Sequence, residues 1–441
     1  MARTRMVRPE QDLKLTDLFT LGALMKSVPI EQVRHSLARC GRESKRIRDL
    51  PADMMMYYVI ALALFRAEET REVLRILLEG ASTLRRDSEP VEPASRPGIV
   101  RARQRLGEAP LRDLYATIVQ PIAVERTRGA WYRKWLTVAL DGTTLETPDT
   151  VANAEAFGRP ASTTGESACP RLRVVGLVET GTHVLFGASL GSYSTGEVTL
   201  AREVVSHLRP GMLCLADRYF PGYEIWKQVR ETGAEMVWRI RTKVHLPREV
   251  ELPDGSYLSH MYKRWNRGKP RGPGLPVRVI DYQVTGSSEQ YRVVTTILDP
   301  EQAPAGELAT LYHERWEFET ALDEFKTHLR GARTVLRSQT PELIRQEVHG
   351  LLLAHFALRA VMHDAALQDD RDPDRISFLH TVRVVRRKLP RFAALPPSGL
   401  GASVRGADPG GAAGRPRTAQ KPKGKARRAP ETEPISSPAP N

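Results

Sequence analysis

The sequence predicts a mixed α/β core carrying a β-rich insertion, preceded by an all-α N-terminal domain. Three observations predict it. Residues 1–125 carry apolar positions at helical period. From about residue 131 short apolar runs alternate with amphipathic stretches, the pattern of a layered α/β core. Between residues 243 and 292 the composition shifts to Pro, Gly and Arg with short β-like runs.

The elements follow in order. LTDLFTLGALMKSV and PIEQVRHSLARCG read as helices punctuated by Pro29 and Gly41. DMMMYYVIALALFRA reads as a buried helix, and REVLRILLEGAST as another. A Pro/Ser/Glu-rich connection leads to a basic unit with Arg96, Arg101, Arg103 and Arg105 on or before a short helix, a Gly-containing turn and a second helix. This unit is open between a helix-turn-helix DNA reader and an ordinary exposed basic helix. WLTVAL reads as a strand ending at Asp141. RLRVVGLVET and HVLFGASLGSY read as a hairpin through Gly181-Thr182. A helix begins near Ser194, where Ser194 and Glu197 have capping-box spacing, a structural role for Glu197. MLCLA is a strand ending at Asp217. PGYEIWKQVRETG is a helix closed by Gly233, and EMVWRIR is a further strand.

After the 243–292 insertion come the strand VVTTIL, a long helix, and two more helices, PELIRQEVHGLLLAHFALRAVMHDAAL and DRISFLHTVRVVRRKL. The expected division is a helical domain over 1–125, a core over 131–365 and a C-terminal helix over 366–395. Residues 396–441 read as a disordered, basic, low-complexity tail.

The formal net charge is +14, of which the tail from Pro397 supplies 8 Lys/Arg against 3 Asp/Glu. The body therefore remains basic, which suits a polyanionic partner. Cys40, Cys169 and Cys214 are too scattered for a disulfide framework or a zinc site, so a reducing, intracellular setting is the default. The longest apolar run, residues 54–65, is too short to span a bilayer, and no signal-type segment follows the basic N-terminus. There is no HExxH and no P-loop, hence no expectation of zinc or ATP.

The long helix carries the most informative pattern. Tyr312, Arg315, Glu319 and Lys326 lie at offsets 3, 7 and 14 from the first. At about 100° per residue all four share one narrow face. Leu311, Phe318, Leu322, Phe325 and Leu329 form an apolar stripe about 80° away. A carboxylate flanked by two cations and a phenol suits a metal ion beside a phosphodiester. The alternative is a solvated, salt-bridged face, since Glu314, Glu317, Asp323 and Glu324 crowd the same segment.

Asp141 and Asp217 supply two further carboxylates, each just past a buried strand, where α/β sites form. With Glu319 they make a set of hard oxygen ligands for Mg²⁺, enough to hold two ions. The alternatives are that Asp141-Gly142 is a turn dipeptide and that Asp217 caps the next helix.

The chain resembles bacterial DDE transposases of the insertion-element-four family. Tyr312, Arg315, Glu319 and Lys326 match that family's Y-x2-R-x3-E-x6-K signature. LDGTTLETPDTVANAEAFGRP resembles the block around its first aspartate, here Asp141, and LADRYFPGYEIW the block around its second, here Asp217. LTDLFTLGALMKSVP through EVLRILLEG resembles its N-terminal helical domain, and the likeness spans roughly residues 10–390. The resemblance implies a ribonuclease-H-like core and cut-and-paste DNA transposition. It further implies nicking at the terminal inverted repeats, hairpin formation and strand transfer to target DNA. Asp141, Asp217 and Glu319 would be catalytic and hold two Mg²⁺, with Mn²⁺ as substitute, while Tyr312, Arg315, Lys326 and Arg218 contact DNA. A homodimer would form the synaptic complex at the bacterial nucleoid, in the cytoplasm and away from membranes. The family uses an insertion aromatic to stabilise a flipped base, for which Trp238 and Trp265 are candidates. The tail departs from the family pattern. It motivates the alternative of an inactive or truncated remnant that only binds element-end DNA; a metal nuclease without strand transfer is the third reading.

Overall fold

The computed structural model describes residues 26–46, 49–82, 92–160, 169–266, 269–284, 289–314, 317–329, 335–388 and 432–434. The first expected helix, LTDLFTLGALMKSV, lies almost wholly outside them. The chain begins with α1 (Ile30–Arg39), α2 (Ala52–Leu64), α3 (Thr70–Ser82), α4 (Arg96–Leu106) and α5 (Ala109–Ile118). Proline at or just before the first turn starts α1, α2, α4 and α5, where its missing N–H costs nothing. Helix α2 is apolar all round, and Met54 through Leu64 are all buried. Such a helix needs cover on every side. Much of that cover is α11 (see below), so the helical region and the core share one apolar interior.

Next come β1 (Trp131–Tyr132), β2 (Trp135–Glu146), α6 (Val151–Phe157), β3 (Arg171–Glu179), β4 (Leu185–Ser192) and α7 (Glu197–Val204). They are followed by β5 (Met212–Ala216), α8 (Tyr223–Glu231) and β6 (Glu235–Ile240). Strands β4, β3 and β2 form an antiparallel meander, and β5 and β6 continue it in parallel. The run β4-β3-β2-β5-β6 is the mixed sheet of a ribonuclease-H-like core. Parallel pairing of β5 with β6 requires a crossover, and α8 supplies it. The expected hairpin turn holds, with His183 in the left-handed region at φ 56°.

The insertion comprises β7 (Val250–Glu251), β8 (Tyr257–Met261), β9 (Arg264–Asn266), β10 (Lys269–Arg271) and β11 (Leu275–Val284), before β12 (Gln290–Thr295). It is not a separate all-β unit. Strand β12 pairs with β6, and β11, β8 and β7 follow outward, extending the core sheet; only β9 and β10 stand apart as a two-stranded ribbon. Strand β12 also starts inside the expected insertion range. Buried Arg278 of β11 fastens the extension: its Nη1 donates to Ala303 O at 2.7 Å and its Nε to Ser256 Oγ at 2.7 Å, and it pairs with Asp254. Asp254 in turn accepts from Ala305 N at 2.8 Å, the first residue of α9 (Ala305–Glu314).

The chain closes with α10 (Glu317–Asp323), a π turn (Glu324–Leu329), α11 (Pro341–Gln368) and α12 (Phe378–Lys388). Helix α11 is long and apolar enough to cross a membrane, yet 83% of its most apolar window is buried within the protein, as in a core helix. It meets α2 at Gly350, where a Cβ would lie 2.7 Å from Val59 O, so only glycine allows this approach. In the tail, β13 (Thr432–Pro434) pairs antiparallel with Tyr282–Val284 of β11; the rest of the expected disordered tail lies outside the described residues. The backbone there finds ladder partners on an exposed sheet edge.

Candidate active site

Strand β2 does not end at Asp141. It continues to Glu146, because Asp141 pairs with Gly176 and Gly142 with Val175 in the ladder to β3. Thr143 and Leu145 are buried and keep the strand alternation going. The turn-dipeptide reading of Asp141-Gly142 therefore fails. Strand β5 ends at Ala216 as expected, and Asp217 follows it directly. Asp217 is not a helix cap: α8 starts six residues later behind Gly222.

The two aspartates meet through register. Leu140 of β2 lies opposite Ala216 of the parallel strand β5, so the next residues, Asp141 and Asp217, are neighbours across the sheet. Adjacent strands are about 4.8 Å apart. Both residues are half-buried. Asp141 Oδ1 accepts from Gly142 N at 2.7 Å, and Asp217 Oδ1 accepts from Arg218 N. These local bonds orient the two carboxylates. Arg218 is exposed at the rim, with its guanidinium 5.5 Å from the ring of Tyr219, itself 57% exposed.

The third carboxylate is on α10, which packs against β2. The backbone of Glu319 lies in that helix; its side chain, and all of Arg315, fall outside the described residues. Among the described residues no three potential metal ligands cluster. Two adjacent carboxylates, with a third carried on the helix packed against them, still fit a hard divalent cation, which takes oxygen donors.

The segment carrying the signature differs from one straight α-helix. Described α-helix runs to Glu314 and again over Glu317–Asp323, then widens into the π turn, where Lys326 sits half-buried. Tyr312 is 5% exposed rather than on an open face. Its ring meets that of His313 edge-on at 6.4 Å, and His313 in turn meets the stacked rings of Tyr282 and Tyr291 edge-on. The apolar stripe holds where described, since Leu322, Phe325 and Leu329 are buried. Glu324, counted above with the solvated charges, is buried instead. Its Oε2 lies 2.6 Å from Arg359 Nη2 of α11.

Other expectations shift as well. The N-cap of α7 is Gly196, so Ser194 and Glu197 form no capping box. The Ser194 hydroxyl bonds that of Ser192 at 2.8 Å, and Glu197 pairs with Arg173. Trp238 is fully buried, edge-on to Trp226 at 5.5 Å, and no base can reach it; the Trp265 side chain lies outside the described residues. In the basic unit, Arg103 points inward, its Nε donating to Gln346 Oε1 at 2.7 Å, and Arg96 pairs with Glu69 at 2.7 Å. Arg96, Arg101 and Arg105 are all exposed.

The sequence reading missed the buried ionic groups. Arg359 and His355 interrupt the apolar run LLLAHFALRAVM at spacing four, a visible signal that charge enters the core there. Glu347 is a second case. It pairs with Arg66 at 2.6 Å and accepts from Arg337 N and Ser338 N at 3.0 Å each.

The family described as insertion element 4 transposase N-terminal matches residues 18–116, and the transposase DDE domain matches residues 135–357. The chain is 28% identical to the transposase InsG for insertion sequence element IS4 of Escherichia coli K12, over 81% of this chain and 80% of that protein. It is 28% identical to the putative transposase InsZ of the same organism, over 48% of this chain and 68% of that one. A cryo-EM structure of the piggyBac transposase synaptic complex with hairpin DNA aligns with a TM-score of 0.44 at 10% identity, over 91% of this chain and 87% of that one, a likeness too loose to argue from. With the DDE-domain match alone covering more than half of its length, the chain belongs to the insertion-element-four family of DDE transposases.

Proposed function

We propose that this transposase moves an insertion sequence by cut-and-paste transposition, with Asp141, Asp217 and Glu319 as its catalytic carboxylates. The observation that carries the reading is the register that sets Asp141 beside Asp217 under the helix bearing Glu319. These three would hold two Mg²⁺ ions, replaceable by Mn²⁺. When bound, such a pair of ions activates the attacking oxygen and stabilises the leaving one.

The chain's own residues then position the DNA. Arg315 and Lys326 contact phosphates near the cleaved end, and Arg218 adds a cation at the rim; Tyr312, expected to join them, is buried and supports the helix from within. Hydrolysis at the terminal inverted repeat frees a 3′-OH. That hydroxyl attacks the opposite strand, forming a hairpin on the element and releasing flanking DNA. Hydrolysis reopens the hairpin, and the 3′-OH joins a phosphorus of target DNA, displacing a target 3′-OH. A homodimer pairs the two element ends, acting at the nucleoid.

The test is a cleavage assay on DNA carrying the inverted repeats that flank the gene, with Mg²⁺ or Mn²⁺, beside Asp217→Ala. Nicks and hairpins made only by the unaltered protein are expected. Nicks without hairpins would leave a simple nuclease. End binding without breakage would point to a DNA-occupying protein with no catalysis. End affinity should fall with salt, at a log-log slope of about −0.9 per phosphate neutralised; a flat response would overturn the DNA contacts.

A further inference from the structure

The π turn has no cause in its own sequence. EFKTHL contains neither proline nor glycine, the usual local reasons for a helix to depart from α geometry. A π turn is rare and is kept where its surroundings select it, frequently at functional sites.

Here the surroundings are a buried charge cluster centred on Glu324. Its Oε2 lies 2.6 Å from Arg359 Nη2, 3.5 Å from His183 Nδ1 and 3.8 Å from His355 Nε2. On the far side of the His183 ring, Nε2 is 3.2 Å from Asp374 Oδ1. Arg359 also contacts His183 and lies 5.6 Å from the ring centroid of Phe378. Phe325, the next residue of the turn, meets His355 edge-on at 6.1 Å. The β3–β4 turn, α11, the short turn Pro373–Arg375 and α12 thus all converge on the start of the π turn. Burial alone would push the Glu324 carboxyl up; Arg359 and the two imidazoles outweigh it and hold the group well below the usual carboxylate range. A dry ion pair of this kind adds little net stability over an apolar pair of the same size, so fold stability does not explain it.

Geometry does. Glu319 sits one turn before the π segment and Lys326 within it. A π turn advances less per residue than an α turn, so it displaces Lys326 from the face that continuous α spacing would give it. We infer that Glu324, paired with Arg359, is a positioning residue for DNA cleavage: it fixes the π turn and through it the placement of Lys326 relative to Glu319. The inference rests on the catalytic reading of Glu319 and Lys326 proposed above.

The experiment is single-turnover cleavage of inverted-repeat DNA at saturating full-length protein with Mn²⁺, alongside end binding and thermal melting. Glu324→Ala should slow cleavage about 10–100-fold while end affinity stays within about threefold. In a Lys326→Ala background the same change should cost less than about twofold, because its effect runs through Lys326. The paired variant Glu324→Met with Arg359→Met should melt near the native temperature and still cleave slowly; it carries the test if Glu324→Ala does not fold. Native cleavage by the paired variant, or a Glu324→Ala cost undiminished without Lys326, would overturn the inference. Cleavage surviving Glu319→Ala would instead sink the catalytic reading beneath it.

Discussion

Asp141 and Glu324 are both carboxylates on the ribonuclease-H-like core, and they sit in opposite surroundings. Asp141 is half-buried in β2 beside a second carboxylate, Asp217, a pairing of like charges that suits a shared cation. Glu324 is buried against Arg359, with its charge already balanced by protein. The difference teaches that spacing along a helix does not separate working charges from structural ones. Partner and burial do.

The sharpest way to break the comparison is to remove each kind of group. Asp141→Ala should lower DNA cleavage by about a thousandfold or more. Its unfolding free energy in urea should stay within about 1 kcal/mol of the native protein, since relieving like charges offsets lost contacts. Arg359→Ala should do the reverse to the fold. It leaves Glu324 buried without its cation and should cost about 3–5 kcal/mol of stability in the same titration. A stable Arg359→Ala protein, or an unfolded Asp141→Ala one, would erase the distinction.

Acid sharpens it next. The folded-state affinity of Glu324 for a proton is depressed, so its contribution is present above the usual carboxylate pKa and lost only as pH falls well below that range. His349 is also depressed, to about 4, because burial disfavours its charged form. The unfolded chain takes up that proton first. Stability should therefore fall between pH of about 6.5 and 4, by up to about 1.4 kcal/mol per pH unit for this one group. Denaturation of the native protein and of His349→Gln across that window should show the slope in the first and a shallower one in the second. The smallest effect belongs to exposed pairs. Breaking Arg128–Asp370, with side chains 57% and 80% exposed, by Arg128→Ala should cost at most about 1 kcal/mol.

Much of this fold was legible as pattern. Strands β3 to β6 and helices α2, α8, α11 and α12 follow apolar periodicity and glycine or proline punctuation, which act locally. Asp217 was placed correctly because β5 is short and ends where its apolar run ends. Asp141 was misplaced by five residues of strand, because Gly142 reads as a turn while its ladder partner lies some thirty residues away in β3. The π turn was invisible for the same reason: its determinants are Arg359, His183 and His355, remote in sequence. The insertion's merger with the core sheet depends on long-range pairing of β12 with β6, which composition does not encode.

Helix α11 closes over α2 at Gly350, and this has a consequence for the chain while it is being made. Helix α2 ends at Leu64 and its cover is complete only when Gln368 has been added. At about 5–20 residues per second, the intervening stretch of about 300 residues takes roughly 15–60 s to synthesise. Throughout that interval the most apolar helix of the N-terminal region has only α1, α3 and α4 against it and lacks its principal cover. A chain halted before α11 is therefore a sticky, protease-sensitive fragment rather than a half-working enzyme. Competence to cut DNA arrives with the last helices, after the whole core has been translated.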